Sequence, residues 1–388
     1  MGHFIVLDLE WNQSSGGRET SMDRLPFEII EIGAVKLDEN LRIISEFSRL
    51  VRPQVYKTLH YKISEVTHLS QEKLEQQGER FEKAMEDFLS WCGTDFRLCT
   101  WGSMDLTELQ RNVVYHGMEL PFGKPLFYYD LQKIYGLIRG DGRRESLDTA
   151  VEELGIEQGR PFHRALDDAW YTGLVMGKMD FYSMMEYFSV DYYQTPEIEE
   201  EELRLKFPTY AKFVSRTWDT KEELLREKQV TDVMCCKCRR LLKKKIRWFS
   251  VNQKQYFCLA VCPEHGYVKG KLRIKRSEDG SVFAVQTVKL TDEAGVELLV
   301  HRCEEAKKKR AERAKAKKEM KKEREEDKDS VLSLFLFSIV STSGAVSGRI
   351  PYPGLGKNAW PLLRQTGGNR NAFGFFFCLC GLCFFDQG

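Results

Sequence analysis

Near the start of the chain an apolar run, Phe4-Ile5-Val6-Leu7, leads straight into Asp8-Leu9-Glu10. The run reads as a buried strand, and residues two apart on a strand share a face. Asp8 and Glu10 are therefore expected to project together from the end of a strand whose other residues are buried. Two adjacent carboxylates repel each other unless a cation sits between them. Crevices at strand ends of α/β sheets are also where ligands bind. This one segment asks for an α/β core with a metal-ready acidic edge.

Three further residues fit the same chemistry: Asp105 in TWGSMDLTE, and His163 with Asp168 in PFHRALDDA. Hydrolysing a phosphodiester requires stabilising charge on both the attacking and the leaving oxygen, which two cations about 4 Å apart do as a clamp. Mg²⁺ favours a few carboxylates plus water and phosphate oxygens, and Asp8, Glu10, Asp105 and Asp168 supply such a set. His163, just before a helix, is the candidate to accept the proton of the attacking water. Each residue also has a plain structural reading. Asp105 can cap a helix, Asp167 and Asp168 suit a first helical turn, and a single histidine is commonly a surface residue. Singly these readings prevail for all but the first pair; jointly they do not.

The rest of residues 1–180 alternates strand and helix signals. EIIEIGAVKLD (28–38) and LRIISEFSRLVRP (41–53) read as antiparallel neighbours joined at Asp38-Glu39-Asn40. Leu69–Trp91 has helical apolar spacing, RLCTWG is a short strand, and Leu106–His116 is a helix. SLDTAVEELG is a helix opened by Ser146 and stopped by Gly155, and Ala165–Met179 closes the unit. Antiparallel strands first, then helices interleaved with strands, give an α/β sheet flanked by helices.

Charge divides the chain. Residues 233–303 hold fifteen Lys/Arg against six Asp/Glu, although the whole chain is only +1. The front, 1–232, is strongly acidic. An acidic front suits a metal site, and a basic rear suits a polyanion. Residues 181–232 read as a connector, 304–329 as a solvated charged helix, and 330–388 as an extension out of character with the rest. The two apolar patches of that extension are shorter than the ~20 residues a spanning helix needs. It reads as a disordered or non-native tail rather than an anchor, and no membrane association is expected. No basic segment followed by an apolar stretch opens the chain, so a cytoplasmic location is expected.

Five of the eleven cysteines, Cys235, Cys236, Cys238, Cys258 and Cys262, crowd into 28 residues. In a chain read as unexported this favours metal over disulfides. Cys235 with Cys238, and Cys262 with His265, have the spacing a tight turn presents to one ion, giving a Cys₃His structural Zn²⁺ site. Cys236 and Cys258 are alternative ligands, and a small β domain with buried free cysteines is the competing reading. The nearby Lys243, Lys244, Lys245, Arg247 and Trp248 form a basic–aromatic patch suited to backbone contact and base stacking. A solvated edge strand guarded by lysines competes with that reading.

Taken together, these motifs resemble the DEDD 3′–5′ exonucleases of the RNase T/DnaQ superfamily, in particular the histidine-type branch with ERI-1-like and KapD-like members. Asp8-Leu9-Glu10 matches the first motif, EIIEIGAV (28–35) the second strand, and Trp101 to Asp105 the second acidic motif. His163 five residues before Asp168 matches the third motif. SLDTAVEELGI, and Arg52-Pro53 followed by ISEVTHLS, resemble the family as well. The likeness covers about residues 3–180. Trp11-Asn12 departs from the small residues usual in the eukaryotic relatives, and Trp11 is taken as a nucleic-acid contact. The resemblance implies a ribonuclease H-like mixed sheet flanked by helices, here followed by a small β-rich, zinc-ribbon-like domain at 233–303. It also implies two Mg²⁺ ions, replaceable by Mn²⁺, and 3′–5′ exonuclease action on single-stranded nucleic acid, RNA preferred. The alternatives are a DNA 3′–5′ exonuclease and a non-catalytic nucleic-acid-binding regulator on the same fold. All five site residues are present, which favours the enzyme.

Overall fold

In the computed structural model, which describes residues 2–252 and 254–342, the apolar run at the N-terminus forms the middle of a sheet. β1 (His3–Asn12) is flanked on one side by β2 (Glu28–Leu37) and then β3 (Ile43–Leu50), all antiparallel. Helices α1 (Tyr61–Thr67), α2 (Gln71–Gln77) and α3 (Phe81–Cys92) lead to β4 (Phe96–Thr100), which pairs parallel to β1 on its other side. α4 (Asp105–Tyr115) crosses to β5 (Phe127–Asp130), parallel to β4, and α5 (Leu131–Arg139), α6 (Leu147–Glu153) and α7 (Ala165–Lys178) follow. A two-residue β6 (Ser189–Val190) closes the order β3-β2-β1-β4-β5-β6. This is the mixed, helix-flanked sheet that the sequence and its resemblance imply.

Alternation along β1 sorts its residues onto two cores. Ile5, Leu7 and Leu9 pack with α3 and α4, while Phe4 and Val6 face α5, α6 and α7. Asp8 and Glu10 belong to the second face by the same alternation, which is the face α7 covers. Leu7 and Val6 are at most 1% exposed, so each side chain contributes on the order of 1.5–3 kcal/mol of burial that fixes the register of the acidic pair.

The single helical stretch expected over Leu69–Trp91 is two helices. Between them Gly78 and Glu79 are extended, because Glu79 pairs with the end of β3: its N–H donates to Leu50 O at 2.9 Å and its carbonyl accepts from Arg52 N at 2.8 Å. A Cβ on Gly78 would lie 2.3 Å from Leu74 O and 2.7 Å from Arg52 N, so the break requires glycine. Sheet pairing overrides helical periodicity here.

A second six-stranded sheet follows. β7 (Leu203–Lys206), β8 (Tyr210–Val214), the short helices α8 (Lys221–Arg226) and α9 (Lys228–Thr231), β9 (Lys244–Asn252), β10 (Gln255–Cys262), β11 (Gly266–Arg276) and β12 (Val282–Leu290) build the antiparallel order β7-β8-β12-β11-β10-β9. Residues 233–303, expected to be β-rich, supply the four strands β9 to β12. The stretch expected to be a connector is not only that. It supplies β6 to the first sheet and β7 and β8 to the second, so the basic unit begins near Leu203 rather than at 233. α10 (Glu293–Thr342) starts before and runs beyond the charged helix expected at 304–329 and enters the expected tail. The remainder of that tail, 343–388, lies outside the described residues. The two sheets meet through Arg111 on α4, whose guanidinium donates to Glu278 in the β11–β12 turn at 2.7 and 3.1 Å. No helix among the described residues is long and apolar enough to cross a membrane.

Candidate active site and candidate zinc centre

The end of β1 and the start of α7 bring three of the five expected residues together. Carboxylate oxygens of Asp8, Glu10 and Asp168 lie within 4.8 Å of one another, all on half-buried side chains. Asp168 occupies the first turn of α7, where its backbone N–H donates to Arg164 O at 2.9 Å. β2 passes directly beneath that helix start. A Cβ on Gly33 would fall 2.1 Å from the backbone of Ala165 and Leu166, so the approach that delivers Asp168 to β1 needs glycine. Beyond Glu10 the β1–β2 register shifts, and such irregularities bend a strand and re-aim its side chains.

Asp105, the first residue of α4, is buried beside the group but outside that 4.8 Å set. Its charge is nevertheless felt at both Asp8 and Glu10. Burial, then repulsion from Asp168, Glu31 and Asp105, pushes Glu10 up to about 8. Burial pushes Asp105 up to about 7, against backbone N–H groups that pull it down. Burial raises Asp168 to about 6, while the His163 backbone and imidazole pull it down. Asp8 is raised by burial and then by Asp105, Asp168 and Glu10. A cluster in which every acid is pushed up carries its full charge at neutral pH only with a cation among the oxygens. All-oxygen donors with open positions fit Mg²⁺ or Mn²⁺.

His163 is exposed, with φ +66°, in the turn entering α7. Its backbone N–H donates to both Asp168 oxygens, at 3.2 and 3.3 Å. The histidine is thus tied through its main chain to a carboxylate of the cluster, with its ring on the solvent side.

Residues not singled out from the sequence complete the site. Glu31, opposite Glu10 in the β1–β2 ladder, is 1% exposed, and the Arg164 guanidinium grips it at 2.6 and 2.9 Å. This ion pair anchors the His163 turn to β2. Glu28 accepts N–H groups of Gln54, Val55 and Tyr56, while Asn12 donates to Tyr56 O and Thr58 O and accepts from His60 N. Together they hold the 54–60 loop against the end of β1. The signals were present: two glutamates inside the otherwise apolar EIIEIGAV strand and an arginine next to His163. Trp11, expected as a nucleic-acid contact, is half-buried, packs on the first core and lies 5.6 Å from Phe27.

The second cluster is built differently. Cys235, Cys238, Cys262 and His265 offer four ligand atoms within 4.8 Å of one another. Three edges of this set measure 3.7 Å for Cys235 Sγ to His265 Nδ1, 3.7 Å for Cys238 Sγ to Cys262 Sγ and 3.5 Å for Cys262 Sγ to His265 Nδ1. A tetrahedron with Zn–S bonds near 2.3 Å has edges of about 3.7 Å. Each pair sits in a tight turn. Arg239 N donates to Cys235 O at 2.9 Å with Arg239 at φ +61°, and Gly266 follows the second pair at φ +78°. The β9–β10 hairpin fills the interval between them. Cys236 and Cys258 are buried outside the cluster.

The basic–aromatic patch is divided by the fold. Lys243, Lys245 and Arg247 are exposed. Lys244 Nζ and Trp248 Nε1 both donate to Thr231 O, at 2.9 and 2.7 Å. The Trp248 ring packs so tightly over Gly270 that a Cβ there would lie 2.8 Å from it. Trp248 is thus held in place by packing and by its indole N–H, and it also lines the space between β9 and α10.

Known proteins similar in sequence to this chain are exonucleases. Residues 5–176 match the family model described as exonuclease, RNase T. The chain is 29% identical over 170 residues to the probable 3′–5′ exonuclease KapD of Bacillus subtilis (strain 168), spanning 42% of this chain and 78% of that one. It is 27% identical over 203 residues to ERI1 exoribonuclease 2 of Homo sapiens, spanning 46% of this chain and only 28% of that relative. Among solved structures, the nuclease domain of 3′hExo bound to rAMP is similar at 22% identity with a TM-score of 0.41, covering 49% of this chain and 96% of that one.

Proposed function

We propose that this 3′–5′ exonuclease, whose residues 5–176 match the RNase T-type exonuclease model, trims single-stranded RNA from the 3′ end with two Mg²⁺ ions. The carrying observation is the convergence of Asp8, Glu10 and Asp168 within 4.8 Å, each raised by burial and then by neighbouring carboxylates. Asp8, Glu10 and Asp168 hold the cations and Asp105 supports them from the start of α4. The cations supply charge stabilisation on the attacking and leaving oxygens. Mn²⁺ can replace Mg²⁺ in an all-oxygen site.

His163 accepts the proton of the attacking water. It stands on a left-handed turn that the Glu31–Arg164 pair holds, so its ring can swing over the cluster while its backbone stays bonded to Asp168. Cys235, Cys238, Cys262 and His265 hold a structural Zn²⁺ that closes the two turns of the second sheet. Lys243, Lys245 and Arg247 contact the phosphate backbone, with Lys244 and Trp248 placing their strand, and Trp11 borders the entry at the end of β1.

RNA is favoured by the exoribonuclease among the relatives. Matched RNA and DNA oligonucleotides incubated with the full chain and Mg²⁺ test the choice. RNA should shorten faster, and equal or faster loss of DNA overturns the substrate assignment.

A further inference from the structure

α10 carries one cationic wall of a groove whose other wall is the edge strand β9. Leu299 (fully buried) and Val296 seat the first turns of α10 on Phe257, Leu259, Ile246 and Phe249. One turn further on, the helix and the strand enclose about 790 Å³. Lys245 and Arg247 line it from β9, and Lys307, Lys309, Arg310 and Arg313 from α10, against the single carboxylate of Glu304. Cys303, Ala306, Lys307, Arg310 and Arg313 recur at helical spacing, so the basic residues form a stripe on the inward face rather than a charge run spread around the helix.

The same face of the sheet adds to the charge. Lys269, Lys271 and Arg302 stand over the Phe257 ring at 5.5, 5.9 and 5.8 Å. Burial and then neighbouring cations lower both lysines, and no carboxylate is among the causes. A concave surface this rich in crowded cations, with Phe249 and Tyr256 in its lining, is complementary to a chain of phosphates with bases to stack.

We propose that the β9–α10 groove is a tract for single-stranded RNA, holding the strand away from the carboxylate cluster. This deepens the proposed function and rests on it for the ligand being substrate. It also changes the reading of 304–315: this part of the helix is a binding wall rather than a solvated spacer.

The test uses the full chain. A fluorescent oligouridylate longer than the roughly 4–16 nucleotides such a groove covers is titrated across a salt series. The wild type is compared with the triple variant Lys307→Ala, Arg310→Ala, Arg313→Ala and with the β9 variant Lys245→Ala, Arg247→Ala. Alanine favours helix, and unchanged zinc content and circular dichroism confirm folding. The triple variant should bind at least about 10-fold more weakly and lower the salt slope by about 2, the value for three lost single-strand phosphate contacts. The β9 variant should fall in the same direction.

Unchanged affinity and slope in both variants overturns the groove. So does loss of binding to phosphatidylserine vesicles with RNA binding intact, which would make the surface a membrane contact. Binding is read without cleavage. Weakened RNA binding by variants of a chain that cleaves nothing would therefore leave the groove standing and remove only the exonuclease reading.

Discussion

The molecule holds two clusters of side chains with the donor atoms a metal ion requires, and they are constructed on opposite plans. In the first, Asp8, Glu10 and Asp168 come from positions far apart in sequence, assembled by a strand and a helix start. In the second, Cys235, Cys238, Cys262 and His265 come from two tight turns one hairpin apart. The acidic cluster has three clustered donors whose pKa values are pushed up by burial and by neighbouring carboxylates, with fewer donors than a full coordination shell. The thiol–imidazole cluster has four donors at tetrahedral spacing and no position left over. Open sites do chemistry and closed sites hold structure. The acidic cluster costs the fold electrostatic energy that the surrounding burial must offset, whereas the closed cluster contributes to folding.

The sharpest way to break this contrast is to remove one ligand from each. Asp8→Ala or Asp168→Ala should abolish nuclease activity and leave circular dichroism intact. In the presence of chelator, the melting temperature of these variants should rise by a few degrees as repulsion is relieved. Cys238→Ser should do the reverse, releasing the one Zn²⁺ expected per chain and melting the second sheet. Freshly purified protein without zinc, or an Asp8→Ala variant that unfolds, would erase the distinction.

The next effect is at His163. Its replacement by alanine should slow turnover by roughly 10²–10⁴-fold while calorimetry shows Mg²⁺ binding largely retained, as expected for a lost general base. Loss of metal affinity instead would make His163 a ligand. Smaller again is the support beneath it. Glu31→Gln or Arg164→Ala frees the His163 turn and should lower kcat by up to about 10²-fold, the scale of a misplacement near 1 Å, with KM little changed. A larger effect on KM would assign the pair to substrate binding.

The same cluster also governs stability against pH. Glu10 is raised from 4.5 to about 8, Asp105 from 3.8 to about 7 and Asp168 from 3.8 to about 6. Between those limits the native state binds more protons than the unfolded chain. In chelator, stability should therefore fall as pH rises from about 4 to about 8. Mg²⁺ should restore it, and more at pH 8 than at pH 6. A flat profile would mean that the acids do not crowd one another.

The acidic site was legible because its spacing obeys strand and helix rules. Asp8 and Glu10 alternate on a strand, and His163 and Asp168 straddle a helix start. Its supports were not. Glu31 and Arg164 are distant in sequence, and nothing in either segment says that they meet; Gly33 and the close crossing of β2 under α7 bring them together. The ligands of the closed cluster were legible as two short motifs, but the extent of their domain was not. β7 carries only the brief alternation Leu203-Arg204-Leu205-Lys206 after an acidic run, too short to mark a strand by itself, and β7 and β8 are strands because they extend the edge of β12. The anchoring of Trp248 was hidden for a similar reason: packing cannot be seen in a basic run, and the indole N–H is satisfied by Thr231, seventeen residues earlier.

One measurement bears most directly on the acidic cluster as the catalytic centre. RNA labelled at its 5′ end is incubated with the full chain in Mg²⁺, in chelator, and with the Asp8→Ala variant, beside a copy blocked at its 3′ end. A ladder shortening one nucleotide at a time from the 3′ end, present only for wild type with Mg²⁺ and absent on the blocked RNA, is the predicted result. Internal cleavage of the blocked RNA, or an equal ladder from Asp8→Ala, would contradict it.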